Sequence, residues 1–152
     1  MVDRFERFSF DLFEIFRCWH KIAAAEMSKY GLKGSHATYL ITLYRYADGL
    51  NATQLCELCV RDKSDVSRMT AILEKKGLVE KDGVNYRAAL KLTDEGKAGA
   101  KRVCKRAEFA VKSAGKGISE DNRAVLFDTL ELIVSNLQSI SKEGLPPNND
   151  TP

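Results

Sequence analysis

Residues 62–79, Asp-Lys-Ser-Asp-Val-Ser-Arg-Met-Thr-Ala-Ile-Leu-Glu-Lys-Lys-Gly-Leu-Val, constrain the fold more than any other stretch of this chain. Asp62 can accept a backbone N–H from a first helical turn, and Asp65 sits where a carboxylate favours the positive end of a helix dipole. A helix beginning at Lys63 follows. Val66, Met69, Ile72 and Leu73 recur at three- and four-residue spacing, so one stripe must face a core. Lys75 and Lys76 suit the negative end, and Gly77 supplies a left-handed stop. Ser64, Ser67, Arg68 and Ala71 fall on the opposite face.

Just upstream, Leu50-Asn51-Ala52-Thr53-Gln54-Leu55 carries a capping box, with Asn51 as N-cap, Gln54 at the third position and Leu50 able to staple onto Leu55. A second short helix thus opens at Ala52, runs through Leu55, Cys56, Leu58 and Cys59, and stops near Val60-Arg61. Two short helices across a tight turn form a helix-turn-helix. A second helix that offers two small hydroxyls and an arginine at its front end is narrow enough for the DNA major groove and can donate to base edges and phosphates. An ordinary amphipathic surface helix has the same stripe.

After Gly77 the period changes. Leu78–Lys81 and Val84–Leu92 read as two strands about an Asp82-Gly83 turn, a pair that favours the primed hairpin types. This hairpin would be a wing. At Thr93 the chain returns to helix, with Thr93 as N-cap and Asp94 and Glu95 in the first turn. Ser35–Ala47 is a further helix, entered from the loop Gly31-Leu32-Lys33-Gly34.

Arg61–Gly96, with its Asp-Lys-Ser-x-Val-Ser-Arg start, Leu-Glu-Lys-Lys-Gly-Leu-Val-Glu-Lys exit and Leu-Thr-Asp-Glu-Gly closure, resembles the winged helix-turn-helix of the MarR family of bacterial transcriptional regulators. Helix order, total length and the Ile118-Ser119-Glu120-Asp121 helix start fit the same family. One departure is visible: family wings carry a longer tip with an Asp-x-Arg element, and the nearest equivalent here is Asn85-Tyr86-Arg87, without the acidic partner. The resemblance implies a DNA-binding regulator, commonly a repressor, that responds to a small, often phenolic or lipophilic, effector or to thiol oxidation.

Composition sets the bounds. A chain of 152 residues with 24 basic and 21 acidic side chains carries a net charge of only +3, so attraction to phosphate must come from local clustering. No segment approaches about 20 continuous apolar residues, and the N-terminus interleaves Asp3, Arg4, Glu6 and Arg7 with phenylalanines, unlike a signal peptide. The expectation is a cytoplasmic protein with no membrane partner. Cysteines 18, 56, 59 and 104 fit that compartment. Cys56-x-x-Cys59 shares its spacing with zinc and redox sites, but the second ligand pair that a structural zinc needs is absent and only His20 and His36 lie elsewhere. Buried, inert thiols are the simpler reading, and no metal or cofactor is expected. Two histidines, no Gly-rich phosphate loop and no nucleophile–base spacing point away from an enzyme.

Both ends carry long apolar rows. Phe5, Phe8, Leu12, Ile15, Trp19 and Ile22 line the first helix, widened by Phe13 and Phe16, and Leu126, Leu130, Ile133, Leu137 and Ile140 line the last, which starts after Ser119. A small chain buries two such seams by interleaving them with a second copy, or by closing an intramolecular bundle. The fold class is therefore mainly α with a small β-hairpin wing: a winged helix-turn-helix domain plus N- and C-terminal dimerisation helices. Its divisions are 1–34 as N-terminal dimerisation helix, 35–96 as DNA-binding domain, 97–143 as C-terminal dimerisation helices and 144–152 as a polar, Pro-rich disordered tail.

The expected function is a homodimeric regulator, a repressor on the family pattern, reading a pseudo-palindromic operator in double-stranded DNA. Lys63, Ser64, Asp65, Ser67 and Arg68 are the candidates on the recognition helix, and Lys81, Arg87 and Lys91 on the wing. Trp19, His20, Tyr30, His36 and Tyr39 are candidates for a small-molecule effector site. Cys18 and Cys104 would serve a thiol-based redox-sensing regulator instead. The same scaffold could also dock a protein in place of DNA, as a winged-helix protein–protein interaction module.

Overall fold

The computed structural model describes residues 2–83 and 88–147, apart from the side chains of Val2, Asp3 and Phe5. Its order is α1 (Val2–Ser28), α2 (His36–Arg45), α3 (Ala52–Cys59), α4 (Lys63–Lys75), β1 (Val79–Asp82), β2 (Ala89–Leu92), α5 (Asp94–Ala114) and α6 (Glu120–Glu143). This is the mainly α, winged helix-turn-helix class. The chain divides into two compact units, residues 1–108 and 109–152.

In the first unit α2 touches α3, α4 and β2, and α3 packs on α4. The apolar stripes of α2, α3 and α4 turn inward, and Met27, Leu32, Tyr39, Leu43, Leu50, Leu55, Val66, Leu73, Leu90, Leu92 and Ala100 share one buried cluster. Leucines such as Leu73, with no exposed surface, stabilise such a cluster by about 2–5 kcal/mol each when judged by truncation to alanine.

The two helices of the helix-turn-helix start and stop by the same chemistry. Asn51 accepts from Gln54 N–H at 2.9 Å while the Gln54 side chain accepts from Asn51 N–H at 2.9 Å, a complete capping box for α3. Asp62 Oδ1 accepts from Asp65 N–H at 2.7 Å and caps α4. Both helices end in a Schellman motif. At the end of α3, Arg61 N–H reaches Cys56 O at 2.9 Å and Val60 N–H reaches Glu57 O at 3.3 Å; at the end of α4, Leu78 N–H reaches Leu73 O at 3.0 Å and Gly77 N–H reaches Glu74 O at 2.9 Å. The left-handed residue is Gly77 (φ +70°) in one and Val60 (φ 51°) in the other.

The hairpin differs from the sequence expectation. β1 and β2 pair antiparallel with Val79 opposite Leu92 and Asp82 opposite Ala89, so Asp82 and Gly83 are not the two central residues of a tight turn, and residues 84–87 of the expected second strand lie outside the described residues. The register follows burial: Leu90 and Leu92 both point into the core beside Val79, and a slip would expose them. Leu90 also exchanges backbone hydrogen bonds with Leu50, at 2.8 and 3.1 Å, which pins β2 to the segment before α3. The wing-tip residues Asn85, Tyr86 and Arg87 lie outside the described residues.

Thr93 then ties the wing root to α5. Its Oγ1 donates to Gly77 O at 2.6 Å and accepts from Gly96 N–H at 3.0 Å, while its own N–H reaches Leu78 O at 3.1 Å. A Cβ at position 96 would overlap the Leu78 carbonyl, so the first turn of α5 can sit this close only with glycine there.

In the second unit Ser119 Oγ accepts from Asn122 N–H at 3.3 Å and starts α6. Leu130, Ile133 and Ile140 are half-buried, whereas Val125, Phe127, Leu132, Val134 and Leu137 stand exposed. No helix among the described residues is long and apolar enough to cross a membrane.

Candidate nucleic-acid interface

The inward face of α4 is Val66, Met69, Thr70 and Leu73. Thr70 tolerates burial because its Oγ1 donates to Val66 O at 2.8 Å. The outward face follows from the same turn geometry: Lys63, Ser64, Ser67, Arg68 and Ala71 are all exposed. Arg68 extends from this face with 63% of its side chain accessible.

Asp65 differs from its neighbours, with only 14% of its side chain accessible. Its Oδ1 accepts from Arg68 Nη2 at 2.7 Å, its Oδ2 accepts from the Tyr39 hydroxyl at 2.9 Å, and Arg61 Nε lies 3.9 Å from Oδ2. Burial alone would raise the Asp65 carboxyl, but the hydrogen bonds from Tyr39 and Arg68 and the two guanidinium charges outweigh it and hold the group below its ordinary range. Burial, then the bond to Asp65, pushes the Tyr39 hydroxyl up. The carboxylate is thus engaged from the protein side.

Tyr39 was placed by sequence among the effector candidates, and its tie to Asp65 was missed. A signal existed: a tyrosine on the inward stripe of α2 must bring its hydroxyl to a partner. His36 is equally enclosed, 1% exposed; its Nδ1 accepts Lys33 N–H at 3.0 Å and its Nε2 is buried without a partner among the described residues. Burial lowers its pKa. The other three aromatic candidates lie nearer solvent. Trp19 is half-buried, His20 is exposed with its ring 4.9 Å from that of Phe16, and Tyr30 lies under the Arg102 guanidinium at 5.9 Å.

On the wing, Lys81 Nζ pairs with Glu74 Oε2 of α4 at 3.1 Å and Lys91 Nζ pairs with Asp82 Oδ2 at 2.8 Å. The hydrogen bond between the latter two raises Lys91 and lowers Asp82. Both ammonium groups stay at the surface, where such pairs are worth about 0–1 kcal/mol and can exchange partners. Arg87 lies outside the described residues. Cys18 is exposed on α1, 3.6 Å from Glu14 Oε1, and Cys104 is half-buried on α5, where burial raises its thiol above the ordinary range. Cys59 is buried against Thr42 Oγ1 at 3.6 Å and is raised likewise. No group of three or more His, Cys, Asp or Glu placed to hold a metal occurs among the described residues.

A capped helix with a polar, exposed front face, its partner helix behind it and a hairpin beside it define a winged helix-turn-helix protein. Residues 30–85 match the model of the MarR family. No curated protein sequence matches the chain. Among solved structures, it resembles a MarR family transcriptional regulator from Listeria monocytogenes complexed with 26mer DNA, at 23% identity over 91% of this chain and 96% of that one (TM-score 0.78). It also resembles a MarR transcriptional regulator from Methanosarcina mazei Go1, at 21% identity over 89% and 92% (TM-score 0.79). A third is a MarR family regulator from Rhodococcus sp. RHA1, at 21% identity over 84% and 92% (TM-score 0.73). At these identities the likenesses establish the fold.

Proposed function

We propose that this chain is a homodimeric repressor of transcription that reads a pseudo-palindromic operator through α4 and is released by a small-molecule effector. The observation that carries the reading is the exposed front of α4, where Ser64, Ser67 and Arg68 stand together on a helix whose other face is locked in the core. Hydroxyls and a guanidinium there can donate to base edges, and Lys63, Lys81 and Lys91 can meet phosphates. Support comes from the family match over residues 30–85 and from the Listeria relative solved with DNA.

The dimer is supported by apolar surface left open in each unit: Phe10, Phe13 and Phe16 on α1, and Phe127, Val134 and Leu137 on α6. Continuous apolar faces of this kind mark an interaction surface, and a two-fold pair would cover both. Two copies of α4 would then meet half-sites about 34–36 Å apart. Trp19, His20 and Tyr30, which keep access to solvent, are where a small effector would be met. Release requires only that it bind one spacing of the two helices better than the other.

The test is a salt titration of binding to the DNA upstream of the chain's own gene against random duplex of equal length. One dimer per site, a steep log–log salt slope and a specific complex at low nanomolar protein are expected. Arg68→Ala should cost about 1–3 kcal/mol on the specific site only, and Lys81→Ala should weaken both duplexes alike while lowering the slope by about one. Absence of binding to either duplex at low salt would overturn the reading.

A further inference from the structure

We infer that Tyr39 and Asp65 position Arg68 to read a guanine in each half-site, an inference that rests on the DNA-binding reading above. An arginine on an exposed helix samples many rotamers, and a contact with a base must first order it. Here one end of the side chain is already held. Arg68 Nη2 donates to Asp65 Oδ1 at 2.7 Å, and Asp65 is in turn held by the Tyr39 hydroxyl on Oδ2 at 2.9 Å. Tyr39 has no exposed surface, so that hydroxyl is fixed by the core of α2 and cannot swing away. The chain of bonds runs from the hydrophobic cluster through Tyr39 and Asp65 to the Arg68 guanidinium at the surface.

The chemistry selects the base. With one N–H of Nη2 committed to Asp65, the remaining donors of the guanidinium form a fork that only donates. Guanine presents two adjacent acceptors, O6 and N7, in the major groove, whereas adenine sets an amino donor beside its N7 and cytosine presents an amino donor. Asp65 is poorly placed for the alternative role of accepting from a cytosine amine, because each of its oxygens already accepts a bond from within the protein and only 14% of its side chain is accessible. Its negative charge, which would otherwise repel phosphate, is offset by Arg68 and Arg61. Tyr39 and Asp65 are positioning residues in this arrangement, since each acts through the next side chain and Tyr39 has no exposed surface.

The experiment is selection from a randomised duplex library with the full chain, comparing wild type with Tyr39→Phe, Asp65→Asn, Arg68→Ala and Tyr39→Phe/Arg68→Ala. Wild type should enrich a two-fold symmetric site with a guanine at one position of each half. Tyr39→Phe and Asp65→Asn should each lower the preference for that guanine about tenfold and leave the other positions unchanged. In the Arg68→Ala background Tyr39→Phe should change nothing further, a result that general damage to the core would not produce. Asp65→Asn serves if Tyr39→Phe does not fold, because the Asp62 cap on the backbone of residue 65 remains. Enrichment of a site whose guanine preference survives both variants, or falls equally at every position, overturns the positioning role. A site with another base at the Arg68-dependent position overturns the assignment of guanine. Failure of wild type to enrich any sequence would instead overturn the DNA-binding reading, and this inference with it.

Discussion

Helices α3 and α4 are built to one plan and differ at their stops. Both begin on a side-chain cap and both close with the paired hydrogen bonds of a Schellman motif. Where α4 closes on Gly77, α3 closes on Val60, a β-branched residue in the left-handed region with 84% of its surface exposed. A left-handed conformation costs an L-residue about 1–2 kcal/mol and suits a branched one least. Val60 therefore spends stability at the turn that sets the angle between the two helices, and its exposed side chain recovers little by burial. What the difference teaches is that the same hydrogen-bond geometry can be imposed by tertiary packing at one stop and chosen by local preference at the other. Leu55 and Cys59 on one side and Val66 on the other are buried in the common core, and they hold the turn between them.

The sharpest way to break this contrast is Gly77→Val. Nothing lies within 4 Å of a Cβ at that position, so the substitution adds backbone strain without a clash. It should lower the unfolding free energy by about 2 kcal/mol in a denaturant titration. A loss under about 0.5 kcal/mol would mean that left-handed valine is inexpensive in this motif, and that Val60 is not strained. The reverse exchange, Val60→Gly, should raise stability by about 0.5–1 kcal/mol, the relief of strain reduced by the greater freedom of glycine in the unfolded chain.

The smallest effect separates the two starts. The α3 cap is made of neutral amides, whereas α4 begins around the ionised Asp65. Its folded-state pKa is depressed, so the unfolded chain takes up the proton first. The stability Asp65 contributes is complete above the ordinary carboxylate range and is lost as pH falls through that range to the folded value. Urea midpoints measured from pH 6 downward should fall less steeply in Asp65→Asn than in wild type. Identical acid limbs would show that Asp65 makes no such contribution.

Much of this was legible in the sequence because it is local. Asn51, Gln54, Asp62 and Gly77 each act within a few residues of themselves, as does Thr93 in capping Gly96, and the stripes of α2 and α4 follow from helical period alone. The hairpin register was not legible. Asp82-Gly83 is a strong turn pair, yet Asp82 pairs with Ala89, and Leu90 is bonded to Leu50, far away in sequence. The same distance hid the Tyr39–Asp65 bond, since period places Tyr39 on an inward face without saying what its hydroxyl meets there. Val60 escaped notice because no residue type announces left-handed valine. The pairing of Lys81 with Glu74 depends on how the wing leans on α4, which no spacing encodes.

The Thr93 clasp carries a mechanical consequence. Gly77, Leu78, Thr93 and Gly96 join the end of α4 to the start of α5 through three short bonds and one close approach that only glycine permits. In the language of machines this is a coupling without backlash. With these contacts in place, the first turn of α5 and the rear of α4, the helix that would face DNA, are held as one piece.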